Sequence, residues 1–391
     1  MLEIIFVLAG FCAGIIAGLL PGLHSNSIAV LFVSLNLKDF NFILFLSSMT
    51  LTQTFFDYIP STLLSIPSSN TLLSVLPSHK MTLNGKAFEA IQASCYGCLI
   101  GVIIGILLIP AQAFFVIQLA DLIKLIIPGI LIIVLMLMFF EEKNKVHGLI
   151  AIVLCSALGL IVLKQNLQAD NALFILISGL IGCSAILSSL TTKSFLPRQE
   201  IKFEFKQEIP IKQALFGSLG GLMVATLPSL SSSHAGLISR QFFSEMKIKT
   251  YLFLLGCINS SAIVFSISML FFGNKTRTGL AIAISETTGL NVMQFVQLNF
   301  VFLFVAGISF AGVLIASLIA IKFIQKINYF YLNLIALALL ICLVLISTNL
   351  IGLIVFGVSS LIGFFCNKLD INKSLLMCFL IMPTLLIYLG I

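Results

Sequence analysis

The chain has 391 residues, of which 60% are hydrophobic and only 9% are charged. An ordinary soluble domain carries about 25% charged residues, so this composition excludes a soluble enzyme, a disordered tail and a nucleic-acid-binding protein. It predicts an all-α polytopic membrane protein, and the net charge of +7 is interpreted through the positive-inside bias rather than as a sign of an acidic ligand.

Long apolar runs, separated by polar interruptions, predict the membrane segments. A spanning helix needs about 20 apolar residues, so the length allows roughly ten to twelve segments. In chain order the runs occupy residues 2–20, 40–58, 88–118, 121–140, 147–164, 170–190, 213–228, 250–272, 291–321, 328–347, 349–366 and 374–390.

The apolar pattern is interrupted near the middle of the chain. Eight charged residues lie between Thr191 and Lys212, which predicts a solvated linker over 191–212. We expect this linker to be cytoplasmic and to divide the chain into a first membrane repeat, 1–190, and a second, 213–391.

The two halves share a pattern of small residues that leads to a proline. The spacing from Gly10 to Pro21 recurs without a gap from Gly217 to Pro228, 207 residues later. Each proline is followed two residues on by leucine and then by a cluster of small polar residues. Glycines at every fourth residue are common where membrane helices pack closely, but the ungapped match beyond the proline favours an internal duplication.

Basic residues indicate the orientation of the halves. With the linker inside, the positive-inside bias also places five other basic segments inside, whereas Lys38, Lys164, Lys275 and Arg277 are exceptions. Those five segments are 78–87, 141–147, 239–249, 322–327 and 367–373. Each half then crosses the membrane an odd number of times, which predicts two inverted repeats. This number requires that the proline-containing segments after residues 20 and 228 turn back within the membrane.

Each repeat is therefore expected to contain a broken or re-entrant Pro-containing helical hairpin. Proline and glycine release backbone groups, which are tolerated at membrane depth where they are buried in protein or line a wet cavity. Pro21, Gly22 and Pro228 are predicted to shape the loops. The polar residues predicted to contact a substrate or ion are His24, Ser25, Asn26, Ser27, Ser229, Ser231, Ser232, Ser233 and His234. The alternative is two kinked helices whose serines bond to their own backbone.

Two of the four histidines lie in these matching loops. His24 and His234 are candidates for proton coupling or for donating hydrogen bonds to a carboxylate. A buried neutral imidazole with a packing role is the alternative. A membrane hydrolase is disfavoured because no Gly-x-Ser-x-Gly nucleophile elbow accompanies the histidines.

Three further polar residues are candidates because charged and polar groups are costly inside a bilayer. Asp57 lies at the end of an apolar run, and Asn259 lies inside another. Arg277 could hold a carboxylate through its planar guanidinium, or it is an ordinary extracellular loop charge. The nine cysteines mostly lie inside apolar runs, and the single CxxC at Cys95 and Cys98 has no second pair, so no metal site is expected.

Several motifs together resemble the large membrane subunit of tripartite tricarboxylate transporters, the TctA family. They are Gly14-x3-Gly18-x2-Pro21-Gly22, Leu76-Pro77-Ser78-His79-Lys80, Asn84-Gly85-Lys86-Ala87-Phe88-Glu89-Ala90 and Asn274-Lys275-Thr276-Arg277-Thr278-Gly279. The His24-Ser25-Asn26 continuation is most similar to an archaeal-type branch. The resemblance implies a secondary carrier for small carboxylates, assisted by a small membrane subunit and an extracytoplasmic binding protein.

These observations lead to one interpretation of function. The chain is expected to be a multi-pass transporter of the cytoplasmic membrane, not an enzyme, without a cofactor, which carries a small organic anion. Transport would be coupled to H⁺ or Na⁺, with alternating access around the two loops. The expected partners are the substrate, the lipid bilayer and the subunits named above, with a homo-oligomer allowed and no nucleic acid.

Two alternatives remain open at this point. A translocase for a polyprenyl phosphate would use the same inverted repeats and polar loops, and a lateral opening to lipid would favour it. A membrane-embedded assembly subunit without a substrate is the third class, favoured if the two loops do not face each other.

Overall fold

The computed structural model describes residues 2–20, 39–68, 71–118, 120–140, 142–163, 169–191, 197–201, 209–226, 230–243, 245–273, 279–285, 290–324, 329–348 and 350–389. These residues form helices and connecting turns without a strand, which confirms an all-α membrane protein. Six of the helices described are long and apolar enough to cross a membrane: Leu2–Leu19, Ala87–Leu107, Lys145–Val162, Ile248–Gly273, Val292–Ile324 and Leu350–Lys368.

The long helices follow the apolar runs, and shorter helices lie between them. In chain order they are α1 (Leu2–Leu19), α2 (Phe40–Phe56), α3 (Tyr58–Leu63), α4 (Leu72–Leu83), α5 (Ala87–Leu107), α6 (Ile109–Gln118), α7 (Ala120–Phe140), α8 (Lys145–Leu163), α9 (Ala169–Ile177), α10 (Ser184–Thr191), α11 (Ile211–Thr226), α12 (Ser232–Gln241), α13 (Ile248–Gly273), α14 (Gly279–Ser285), α15 (Val292–Ile324), α16 (Tyr329–Ser347), α17 (Leu350–Lys368) and α18 (Cys378–Leu389). A π-helix at Ser178–Cys183 joins α9 to α10, and a 3-10 helix at Lys373–Met377 precedes α18.

Two compact units divide the chain. Unit 1 consists of Met1–Pro60, Lys86–Asp121 and Gln199–Lys322, whereas unit 2 consists of Ser61–Gly85, Leu122–Arg198 and Phe323–Ile391. Each unit therefore takes helices from both sides of the charged segment 191–212.

In unit 1, two helix pairs pack through the small residues that the sequence repeats. A Cβ added to Gly14 of α1 would lie 2.6 Å from the Thr52 Cβ and 2.7 Å from the Met49 carbonyl oxygen of α2. A Cβ added to Gly221 of α11 would lie 2.8 Å from the Ile258 carbonyl oxygen of α13. Contacts this short leave no room for a side chain, so glycine permits the close approach of both pairs.

The contacts recur along both pairs. Gly10 and Gly18 of α1 face Phe45 and Phe56 of α2. On α11 the corresponding contacts join Gly217 to Leu254 and Ala225 to Phe265 of α13. Met49 and Ile258 contribute the middle contact of each set.

Unit 2 is built around the helices α8 to α10 and α16 to α18. The π-helix packs on α17, where Gly363 lies against the Leu180 carbonyl and Gly179 against Ser359. A buried apolar cluster joins α9, α10, α16 and α17 to the segment that follows α3, with Ile66, Phe174, Ile175, Leu340 and Phe356 among its members.

One side chain of the charged segment 191–212 is buried. The Oε1 atom of Gln199 accepts a hydrogen bond of 3.0 Å from the Ala87 N–H at the beginning of α5. The expectation of a solvated linker therefore does not hold at Gln199, because its amide satisfies one of the free N–H groups at a helix N-terminus.

Candidate functional site

Much of the predicted site lies outside the described residues. This applies to the whole first loop, with Pro21, Gly22, His24, Ser25, Asn26 and Ser27, and also to Pro228, Ser229 and Arg277. The structure places Ser231, Ser232, Ser233, His234, Asp57 and Asn259, all of which belong to unit 1.

The polar residues after Pro228 form the beginning of α12. Ser231 is the N-cap residue, with the extended φ of −98° and ψ of 167° that an N-cap adopts. The Nδ1 atom of His234 accepts a hydrogen bond of 3.2 Å from the Ser231 N–H and lies 3.0 Å from the Ser231 Oγ. His234 thus occupies the position that glutamate or glutamine holds in an ordinary capping box.

This contact assigns the tautomer of His234. A backbone N–H can only donate, so Nδ1 must act as the acceptor, and in the neutral ring the proton lies on Nε2. The imidazole is buried, with only 1% of its surface exposed, and Ser233 is 4% exposed. The helix N-terminus therefore combines backbone N–H groups, serine hydroxyls and an imidazole N–H, all of them donors suited to an anion.

Asp57 and Asn259 lie at the buried centre of unit 1. Asp57 joins α2 to α3, and its neighbour Tyr58 accepts a hydrogen bond of 2.8 Å from the Asn259 Nδ2 of α13. The side chains of all three residues are buried. Asn259 is thus joined to the residue that follows Asp57, across 201 residues of sequence.

Sequence reasoning missed several polar contacts in unit 1. Ser309 of α15 donates to the Thr52 hydroxyl of α2 over 3.2 Å, and both side chains are fully buried. Glu89, at the beginning of α5, is 7% exposed and lies 3.9 Å from the Lys249 Nζ of α13. The only sequence signal for these residues was polarity inside an apolar run, and serine or threonine there more often bonds to its own helix.

The donor set does not indicate a transition-metal centre. Among the residues that the structure describes, no three His, Cys, Asp or Glu side chains are grouped as metal ligands. The polar groups at the beginning of α12 are neutral hydroxyls, backbone amides and one imidazole, which together suit an oxyanion better than a tightly bound metal.

A family model confirms the resemblance seen in the motifs. The model of the Tripartite tricarboxylate transporter TctA family matches residues 4–378. The chain belongs to the TctA family. It is therefore a multi-pass membrane component of a transporter and not an enzyme, and TctA proteins typically work with other Tct subunits in a tripartite system.

A full-length relative of the chain is archaeal. The uncharacterized protein MJ1079 of Methanocaldococcus jannaschii is 30% identical over 406 aligned positions, which cover 100% of both chains. No solved structure matches the chain.

Proposed function

We propose that this TctA protein carries a small carboxylate across the cytoplasmic membrane by alternating access, with cotransport of H⁺ or Na⁺. The substrate binds between the loop Pro21–Ser27 and the loop Pro228–His234. The observation that carries this proposal is the buried N-terminus of α12, where Ser231 and His234 form a cap directly after the second loop.

The chemistry of this helix N-terminus suits a carboxylate. The first N–H groups of a helix have no intrahelical partner, and the helix dipole adds a partial positive charge. An anion there gains about 0.3–1 kcal/mol when exposed and up to about 2 kcal/mol when partly buried. Ser232, Ser233 and the His234 Nε2–H add donors, and His24, Ser25, Asn26 and Ser27 supply the opposite side.

The packing of unit 1 supports a duplication of the chain, which the proposal of two inverted halves, 1–190 and 213–391, requires. The contacts of α1 with α2 recur between α11 and α13 in the same order, from Gly10 and Gly217 onwards. Each of these pairs flanks one of the proline-containing loops in sequence. Two equivalent loops from inverted repeats are the usual frame of a carrier site near the midplane.

The remaining polar residues have proposed roles beside the substrate. Asp57, held at the junction of α2 and α3, contributes to the binding of the substrate or of an ion within unit 1. Asn259 positions this junction through Tyr58, and Arg277 contacts a carboxylate of the substrate. A small membrane subunit and an extracytoplasmic binding protein deliver the substrate.

Thermal unfolding of the purified protein in detergent tests the substrate class. Citrate, succinate and acetate are each compared with a short polyprenyl phosphate. A ligand at a hundred times its Kd stabilises the folded state by about 2.7 kcal/mol. We expect a carboxylate to raise the midpoint, and we expect Asn26→Ala with Ser233→Ala to abolish this effect.

Ser218→Ala is the matched control, because Ser218 is a fully buried serine of unit 1 outside both loops. Stabilisation by the lipid phosphate alone would contradict the carboxylate carrier and favour a lipid translocase. Proton coupling is tested separately with the double variant His24→Ala and His234→Ala. If transport by this variant keeps its normal pH dependence, neither histidine takes part in proton coupling.

A further inference from the structure

A second polar region lies in unit 2, where the chain leaves α3. Ser65 is two residues beyond the end of α3, is 3% exposed and has a φ of +55°. Glycine adopts this left-handed conformation freely, whereas a side chain makes it unfavourable. A buried serine at such a position indicates that its hydroxyl group has a function.

The Ser65 hydroxyl has a defined partner. Its Oγ atom lies 2.7 Å from the Nδ1 of His79 on α4. In the His79 tautomer with the proton on Nε2, the Ser65 hydroxyl donates to Nδ1 and its oxygen lone pairs point away from the imidazole. A hydroxyl oxygen held in this way can coordinate a cation.

Helix α4 holds a second residue of the same segment. Thr82, three residues after His79 and on the same helix face, donates over 3.1 Å to the Thr62 carbonyl oxygen. Thr62 and Ser65 therefore lie beside each other along one face of α4.

The π-helix lies against the other side of this segment. A Cβ added to Gly182 would lie 3.3 Å from the Ser65 carbonyl oxygen and 2.9 Å from the Pro67 Cδ. Ser178 precedes Gly182 by four residues, almost one turn of this wider helix, and so lies on a similar face. Short π-helical segments are frequent at functional sites because they displace backbone groups from the regular bonding pattern.

Hydroxyl groups in this region lack a partner. The side-chain oxygens of Ser61, Thr62 and Ser178 are fully buried, and none has a hydrogen bond to any residue that the structure describes. Buried hydroxyls are nearly always satisfied in native proteins. Three such hydroxyls on two adjoining elements indicate a ligand that is coordinated by neutral oxygen atoms.

We propose that Thr62, Ser65 and Ser178 bind a Na⁺ ion through their hydroxyl oxygens, with the Ser65 carbonyl as a further ligand and His79 as a positioning residue. Hard cations take oxygen ligands, and carbonyls at a helix interruption are typical ligands of Na⁺ in carriers. The inference rests on the proposed function, because it assigns the coupling ion of that carrier.

The test measures Na⁺ binding directly on the full chain in detergent. The midpoint of thermal unfolding is followed as NaCl replaces choline chloride at constant ionic strength, with KCl as the comparison. We expect a saturable rise for Na⁺ that exceeds the rise for K⁺. Ser178→Ala should remove the response or raise the half-saturating Na⁺ concentration about tenfold, which corresponds to about 1.4 kcal/mol.

Two further variants separate binding from folding. Ser178→Ala removes an unsatisfied hydroxyl, so without Na⁺ it should be as stable as the wild type or more stable. Ser65→Gly keeps the left-handed backbone and should also lose the response. Ser268→Ala is the matched control, since Ser268 is an equally buried hydroxyl of α13 without a partner among the described residues, and it should respond normally.

The proposed Na⁺ site would be overturned if the unfolding midpoint of the wild type did not change with Na⁺. It would also be overturned if Ser178→Ala and Ser65→Gly both responded normally to Na⁺. Carboxylate binding is measured both in choline chloride and in NaCl, because a coupled carrier binds its substrate more tightly with Na⁺ present, and the two proposals are thereby kept distinct. A carboxylate response without any Na⁺ response overturns only the cation site. A Na⁺ response that is lost in Ser178→Ala, without any carboxylate response, supports the cation site while the carboxylate carrier fails.

Discussion

The two glycine-lined helix pairs of unit 1 use the same contact in different surroundings. α13 is buried from Tyr251 to Leu270, whereas only 28% of α1 is buried and most of its large apolar side chains are exposed. Gly14 faces Thr52 in one pair, and Gly221 faces Ile258 in the other. The same glycine motif therefore lies on an exposed helix, α1, in one pair and packs against an enclosed helix, α13, in the other.

The largest effect is expected from a side chain placed at the enclosed contact. Gly221→Leu drives a side chain into α13, which has no free direction in which to shift. Overpacking costs about 1–3 kcal/mol and occasionally more, and we expect this variant to exceed the range and lose most of the folded protein. Gly14→Leu should stay within the range, because α1 can move outwards.

The yield of folded protein and the unfolding midpoint in detergent measure this difference. Equal losses for Gly14→Leu and Gly221→Leu would show that burial of the partner helix does not decide the cost. The comparison between the two pairs would then be wrong.

A second set of variants removes a buried polar contact between α3 and the enclosed helix α13. Asn259→Ala leaves the buried Tyr58 hydroxyl without its donor, and loss of such a partner costs about 1–3 kcal/mol. Tyr58→Phe should cost less on its own. In the double variant the two losses should be less than additive by about 0.5 kcal/mol or more, as measured from unfolding midpoints. Fully additive losses would mean that the hydrogen bond does not contribute.

A third pair of variants, both at His234, separates its role in capping α12 from the role of its imidazole in carboxylate binding. His234→Ala should cost about 0.5–1.5 kcal/mol through the lost hydrogen bond to the Ser231 N–H. His234→Gln should recover most of that stability, because glutamine is an ordinary capping-box partner. If carboxylate binding falls in His234→Gln while its stability is restored, the imidazole contributes to the site as proposed. Normal binding in this variant would restrict His234 to capping.

The smallest effect is expected at a glycine without a close contact. No described atom lies within 4 Å of a Cβ added to Gly129 of α7. Gly129→Ala should therefore stabilise the helix by about 0.5–1 kcal/mol, visible as a slightly raised unfolding midpoint. A loss comparable to that of Gly14→Leu would mean that the space around a glycine does not decide the effect of its substitution.

The sequence predicted the long helices well because their apolar runs carry the information. The run 250–272 corresponds to Ile248–Gly273, and the run 291–321 corresponds to Val292–Ile324. The run 88–118 was expected to be continuous, but Leu108 separates two helices. Helices α4 and α12 were missed because their polar composition gives no hydropathy signal.

The candidate site was only partly predictable. His234 stood out because it is polar in a broken apolar run, but its hydrogen bond to Ser231 depends on where α12 begins. Ser65 escaped notice because positive φ usually marks glycine. The contact of Asn259 with Tyr58 could not be foreseen, since it spans 201 residues and depends on how α13 packs in unit 1.

The central claim is that the beginning of α12 binds the transported carboxylate. Uptake of labelled citrate into proteoliposomes, driven by an inward Na⁺ or H⁺ gradient, tests it most directly. The account predicts uptake by the wild type and by the control Ser218→Ala, and its loss in Ser232→Ala with Ser233→Ala. Uptake at the wild-type rate by that double variant would contradict the account.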